Sequence, residues 1–97
     1  MNIQDFTAQL HSQGFGEVLS REQPANYSMG DHTHPFDARA LITAGDITLT
    51  VNGVATRYAQ GTIFELAAGT PHEEAAGSSG VTYLVGRRET GIAAKQI

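Results

Sequence analysis

Ile47-Thr48-Leu49-Thr50-Val51-Asn52-Gly53-Val54 is the stretch that decides the fold class. Ile47, Leu49 and Val51 alternate with Thr48 and Thr50, giving one buried and one wetted face of a strand. Asn52-Gly53 supplies the two residues that tolerate positive φ in a type I′ turn, so the chain should return along 54–59 as a hairpin. Outward from this hairpin, short β-rich runs recur at 17–22, 26–34, 38–44, 46–51, 54–59, 62–66, 72–76 and 80–87. Turn signals separate them at Gln23-Pro24, Gly45-Asp46, Gln60-Gly61, Gly69-Thr70-Pro71 and Gly77-Ser78-Ser79-Gly80. Eight short strands at this rhythm predict an all-β barrel or double-sheet sandwich. Ahead of them, Ile3, Phe6 and Leu10 fall at i, i+3 and i+7, which predicts one amphipathic helix over 3–12, stopped by Gly14 and Gly16. The tail over 89–97 carries no pattern and is expected to be peripheral.

Composition narrows the class. Ninety-seven residues make a single domain, long enough for one core without staples. Charged residues are 16% and hydrophobic residues 40%, the balance of an ordinary globular chain. The formal charge is −4, and the six basic residues are scattered, with only Arg87 and Arg88 adjacent. That distribution argues against a nucleic-acid partner, which wants clustered Lys and Arg. No cysteine is present, which removes disulfides, thiolate ligands and a Cys nucleophile. No apolar run approaches the roughly 18 residues needed to cross a bilayer, so no membrane role is expected. The start, Met1-Asn2-Ile3-Gln4-Asp5, lacks the basic and apolar regions of a signal peptide, and a cytoplasmic location is the expectation. Open sheet edges in so small a chain call for closure or for pairing with a second copy, so a homodimer is expected.

The chemistry-bearing residues are histidines. His32 and His34 flank Thr33 in a stretch that reads as strand, and His72 follows the Gly69-Thr70-Pro71 turn. Residues at i and i+2 of a strand point to one face. A third imidazole from a neighbouring strand would complete a site for a divalent metal such as Zn, Fe, Ni, Mn or Cu.

Set on these strands, the histidines resemble the two motifs of the cupin superfamily of small β-barrels. The first motif is a glycine, five residues, His-x-His, three or four residues, a glutamate, six residues and a glycine. Here Asn26 replaces the first glycine, as a residue tolerant of left-handed φ; His32-Thr33-His34 and Gly45 are in register. The second motif is a glycine, five residues, Pro-x-Gly, two residues, a histidine, three residues and an asparagine. Gly61, Gly69 and His72 are in register, with Ala67 and Ala76 replacing the proline and asparagine. The resemblance covers about residues 15–88. It implies a double-stranded β-helix, or jelly-roll, barrel and a metal site built from His32, His34 and His72. The family's glutamate position falls on Ala38, or on Arg39 in the longer spacing, and neither ligates a metal. Two other carboxylates are candidates for a fourth ligand or an acid–base group. Glu74 lies two residues beyond His72 and shares its face of a strand. Asp37 lies one residue early, turned away by alternation unless the bend at Pro35 reorients it.

Other residues have plainer readings. His11 reads as a surface residue of the helix. Tyr27 and Tyr58 read as packing, with cavity lining the alternative, and Phe64, Leu66, Val81 and Val85 as core. Arg39 and Tyr83 are the candidates for substrate contacts, with an outward surface position the plainer reading of Arg39 and packing that of Tyr83. The resemblance implies a metal-dependent enzyme acting on a small organic molecule, of dioxygenase, isomerase or lyase type. The alternatives are a non-catalytic barrel that binds or senses a small molecule, with or without metal, and an inert interaction module.

Overall fold

The computed structural model describes residues 1–89, as one helix and six strands: α1 (Ile3–Ser12), β1 (Glu17–Gln23), β2 (Ser28–His32), β3 (Phe36–Val51), β4 (Val54–Ala59), β5 (Ile63–Leu66) and β6 (His72–Glu89). The expected peripheral tail lies outside the described residues, save Glu89 at the end of β6. Two of the expected turns are not turns. Gly45-Asp46 sits inside β3, and Gly77–Gly80 inside β6, so four of the expected strands merge into two long bent ones.

Pairing shows how these two strands organise the barrel. The first half of β3 pairs with β5 and with the second half of β6, which also pairs with β1. The second half of β3 pairs with β4 and with the first half of β6, which also pairs with β2. All pairs are antiparallel. The result is two four-stranded sheets that share β3 and β6, a jelly-roll barrel.

The bends are visible as changes of parity. On β3, Ala38, Ala40 and Ile42 face the interior, then Ile47 and Leu49 do. On β6, His72 and Ala76 are buried before the bend, and Val81, Tyr83 and Val85 after it. Register shifts lie between Ile42 and Ala44 and between Gly45 and Ile47. An extra residue in a strand swaps its inward and outward faces and bends it, so each strand can serve both sheets. Gly45 permits the bend: its φ is +71°, and a Cβ there would collide with the backbone of Gly80. The predicted hairpin is present, with Val51 opposite Val54 and φ of 52° and 77° at Asn52 and Gly53. Asn26, where the motif has glycine, has φ of 60°.

The helix closes the outer face of the β1-containing sheet. Asn2 caps it, its side-chain oxygen accepting from the Asp5 N–H at 2.7 Å. Phe6 and Leu10 are buried with Phe15 and Leu41 in a second small core. Each such side chain contributes about 1.5–3 kcal/mol on burial. Ile3, expected on the same stripe, is exposed at the first position of the helix. Gly86 admits the helix: a Cβ there would come within 2.8 Å of a Leu10 methyl.

Candidate metal centre

The two motif histidine groups meet across one strand pair. His32 ends β2, His72 begins β6, and the two are cross-strand partners. A register shift between Met29 and His32 makes them so; without it His32 would face Pro71. His34 lies just past the end of β2, in the connection to β3 rather than in strand, and its carbonyl accepts from the Gly69 N–H at 2.8 Å. That bond ties the His-Thr-His segment to the Gly69-Thr70-Pro71 turn. The ring centroids are 4.2 Å apart for His32 and His72, 4.9 Å for His32 and His34, and 5.2 Å for His34 and His72.

Glu74 completes the group, on the face that its i+2 position dictates. Its Oε2 lies 3.0 Å from His32 Nε2 and 3.2 Å from His72 Nε2. One candidate ligand atom from each of His32, His34, His72 and Glu74 falls within 4.8 Å of all the others. The carboxylate absent from β3, where Ala38 stands, is thus supplied by β6. His72 is 1% exposed, and Glu74 and His32 are 12% and 17% exposed at the side chain.

Hydrogen bonds orient the rings. His32 Nδ1 donates to the Gly30 carbonyl at 2.7 Å, and His72 Nδ1 to the Thr70 carbonyl at 2.9 Å. A carbonyl only accepts, so each Nδ1 carries a proton. Both Nε2 atoms then turn their lone pairs toward a carboxylate oxygen, itself an acceptor. Such a convergence of acceptors needs a cation at its centre or extra protons on the rings. Burial, with the neighbouring His72 and His32 rings, holds His34 below its ordinary pKa. Neutral imidazoles with Nδ1 held by a backbone carbonyl are the form that ligates metals. The donor set therefore fits a divalent ion.

The cluster forms one wall of a cavity of about 160 Å³ between the two sheets. Tyr83, Tyr27, Phe36, Ala38, Phe64 and Leu66 line it, with Arg21, Gln23 and Arg87. Tyr83, a candidate substrate contact from the sequence, is among these lining residues. Burial, and secondarily the charge of Glu74, raises its phenol pKa above the usual value.

Two further candidates, Asp37 and Arg39, lie outside the cavity. Asp37 faces outward, accepting from the Ala68 N–H at 2.9 Å and from Arg88 Nη2 at 2.9 Å. Those two contacts hold its carboxyl below its ordinary pKa. The Pro35 bend does not reorient it. Arg39 shares the outward parity of Leu41; it donates to Gln9 Oε1 at 3.2 Å and lies over Phe6, under the helix. It contacts helix α1 and not the cavity. Arg87, which the sequence reading passed over, lines the cavity instead. Its signal was its even spacing from Val81, Tyr83 and Val85, readable only once the bend before Val81 is known.

No protein-family profile matches the sequence, and no curated protein does. Solved structures do. The cupin domain of Cnp3 from Schizosaccharomyces pombe superposes with a TM-score of 0.71 at 18% identity, over 81% of this chain and 59% of that one. DMSP lyase DddQ from Ruegeria pomeroyi DSS-3 gives 0.66 at 24% identity, over 73% of this chain and 36% of that one. KdgF from Halomonas sp. gives 0.61 at 17% identity, over 77% and 71%. This chain thus spans about a third of the length of the DMSP lyase chain. The likenesses show the fold: the expected jelly-roll is a cupin barrel.

Proposed function

We propose that this cupin-fold chain is a metal-dependent enzyme acting on a small organic molecule, with one divalent ion held by His32, His34, His72 and Glu74. The observation that carries the reading is the convergence of four donor atoms within 4.8 Å on the wall of a cavity. When bound, the ion supplies Lewis acidity toward a substrate oxygen. The remaining roles belong to the chain. His32 and His72 are kept in the ligating tautomer by Gly30 and Thr70. Tyr83 lines the same cavity as the cluster, and burial raises its phenol pKa further above neutrality, so it offers that cavity a hydrogen-bond donor. A lyase, an isomerase and a dioxygenase are all compatible with a phenol on the wall of a metal site, and we favour the lyase or isomerase reading. The likeness to a DMSP lyase agrees with that choice. The cavity is smaller than the roughly 300–1,000 Å³ of drug-sized sites, so the substrate has few heavy atoms.

The test is elemental analysis of protein purified without a metal-affinity tag, followed by metal titration. About one equivalent of divalent metal per chain supports the reading. No metal and no uptake refutes it. Metal with ligand binding but no turnover, across a panel of lyase and isomerase substrates, would favour the alternative of a non-catalytic binding barrel. A homodimer is proposed with it, because β1 and β4 each pair on one side only among the described residues. Mass by light scattering tests that, with a monomer at micromolar concentration as the contrary result.

A further inference from the structure

Four arginines of the described barrel have side-chain partners that can be compared. Arg57 donates to Asp46, Arg88 to Asp37 and Arg39 to Gln9, all on outer surfaces. Arg87 differs. It follows Val81, Tyr83 and Val85 in inward parity, and it is one of the residues that line the cavity of the histidine cluster. Its Nε is buried and has no hydrogen-bond partner among the described residues. Its Nη1 lies 3.6 Å from Oε1 of the mostly exposed Glu17, beyond hydrogen-bonding range.

The side chain is nonetheless held in place. The guanidinium carbon sits 4.6 Å from the centroid of the Phe36 ring. Phe36 in turn stacks on His34 at 5.0 Å and 17°. This sandwich fixes a planar donor fork one ring away from the candidate metal centre. Arg21, opposite Tyr83 across β1 and β6, adds a second positive charge at the rim of the same cavity. Glu74 is the acid of that cavity, and it is already engaged by His32 and His72. A guanidinium held against an aromatic ring, with one donor unmet and its residue lining the cavity, is the complement of a carboxylate.

We infer that the ligand of this cavity is a small organic acid whose carboxylate is held by Arg87, with its other end toward the histidine cluster. The inference rests on the cavity named in the proposed function and gives its substrate class, but the anchor itself needs no metal. Glu17 is a weak internal competitor for the same guanidinium.

The experiment is an NMR titration of the full chain with propionate and pyruvate, each against its neutral amide, on metal-loaded protein and on protein stripped with a chelator. The stripped arm separates Arg87 from carboxylate binding by the metal. Both acids are expected to bind at least tenfold more tightly than their amides in both arms. Arg87→Gln should weaken acid binding about tenfold or more, Arg87→Lys should restore part of it, and Glu17→Gln should tighten it. Glu17 is exposed, so that last variant keeps the inference testable if Arg87→Gln fails to fold. Equal binding of acid and amide, absence of acid binding, or indifference to the Arg87 and Glu17 variants would overturn the inference. Metal uptake by the wild-type protein is read separately. Uptake without Arg87-dependent acid binding sinks this inference alone, and acid binding without uptake sinks the metal reading alone.

Discussion

Replacing Glu74 by Gln should uncouple metal binding from stability. Glu74 Oε2 lies within 3.2 Å of two imidazole nitrogens, those of His32 and His72. Glutamine keeps its volume and a neutral oxygen but removes the charge. A ligand that binds only the folded state at a hundred times its Kd stabilises it by about 2.7 kcal/mol. For a domain of this size each kcal/mol moves Tm by about 4–8 °C, so metal should raise the wild-type Tm by about 11–22 °C. Losing even an outer-shell partner of a metal site commonly costs about 10–100-fold in affinity, which is taken as the minimum for the proposed ligand Glu74. At the same metal concentration the stabilisation then falls to about 0.4–1.4 kcal/mol, a rise of about 2–11 °C. The assay is thermal unfolding with metal and with chelator, each variant referenced to its own chelated state. His11→Ala is the control, because His11 is exposed on the helix and far from the cluster in the fold. An equal metal-induced rise in wild type and Glu74→Gln would refute the reasoning, as would a flat wild-type response.

Further outcomes follow from the fold and the site. Gly45→Ala should cost roughly 2–5 kcal/mol in urea unfolding, combining left-handed strain with a forced shift of the Gly80 backbone; a loss under 1 kcal/mol would contradict the bend. Asp37 has its pKa lowered in the folded state, so its contribution is complete above the unfolded carboxylate value and is lost as pH falls through the folded one. Asp37→Asn should therefore flatten the acid limb of the stability–pH curve between about pH 4 and that lower value, and an unchanged limb would count against the Arg88 and Ala68 contacts. Tyr83→Phe should abolish turnover of an identified substrate while leaving metal content intact; unchanged turnover would remove Tyr83 from the chemistry.

Much of this was legible in the sequence, for physical reasons that differ by residue. The Asn52-Gly53 hairpin and the helix were readable because turn chemistry and periodicity are local. Glu74 was readable because strand alternation fixes the face of a residue two positions from His72. The bends were not, because Gly45 and Gly77–Gly80 look like turns when nothing shows that the strand continues past them. For Arg39 the sequence leaves an outward position and a substrate contact both open, for a related reason. Ala38 and Ala40 are small enough to hide the inward face, so the alternation that turns Arg39 outward with Leu41 carries little hydrophobic signal. Arg87 was passed over because its parity depends on the bend in β6. The signals that failed are those in which a long-range pairing, rather than a neighbour, decides the direction of a side chain.

The central claim is that His32, His34, His72 and Glu74 hold one divalent ion. Crystals of tag-free protein, measured at the absorption edge of the metal found in it, test that claim most directly. The account predicts one anomalous peak bonded to a nitrogen of each histidine and to the Glu74 carboxylate, facing the cavity that Arg87 lines. An ordered cluster with no peak in metal-replete protein, or a peak at other residues, would contradict it.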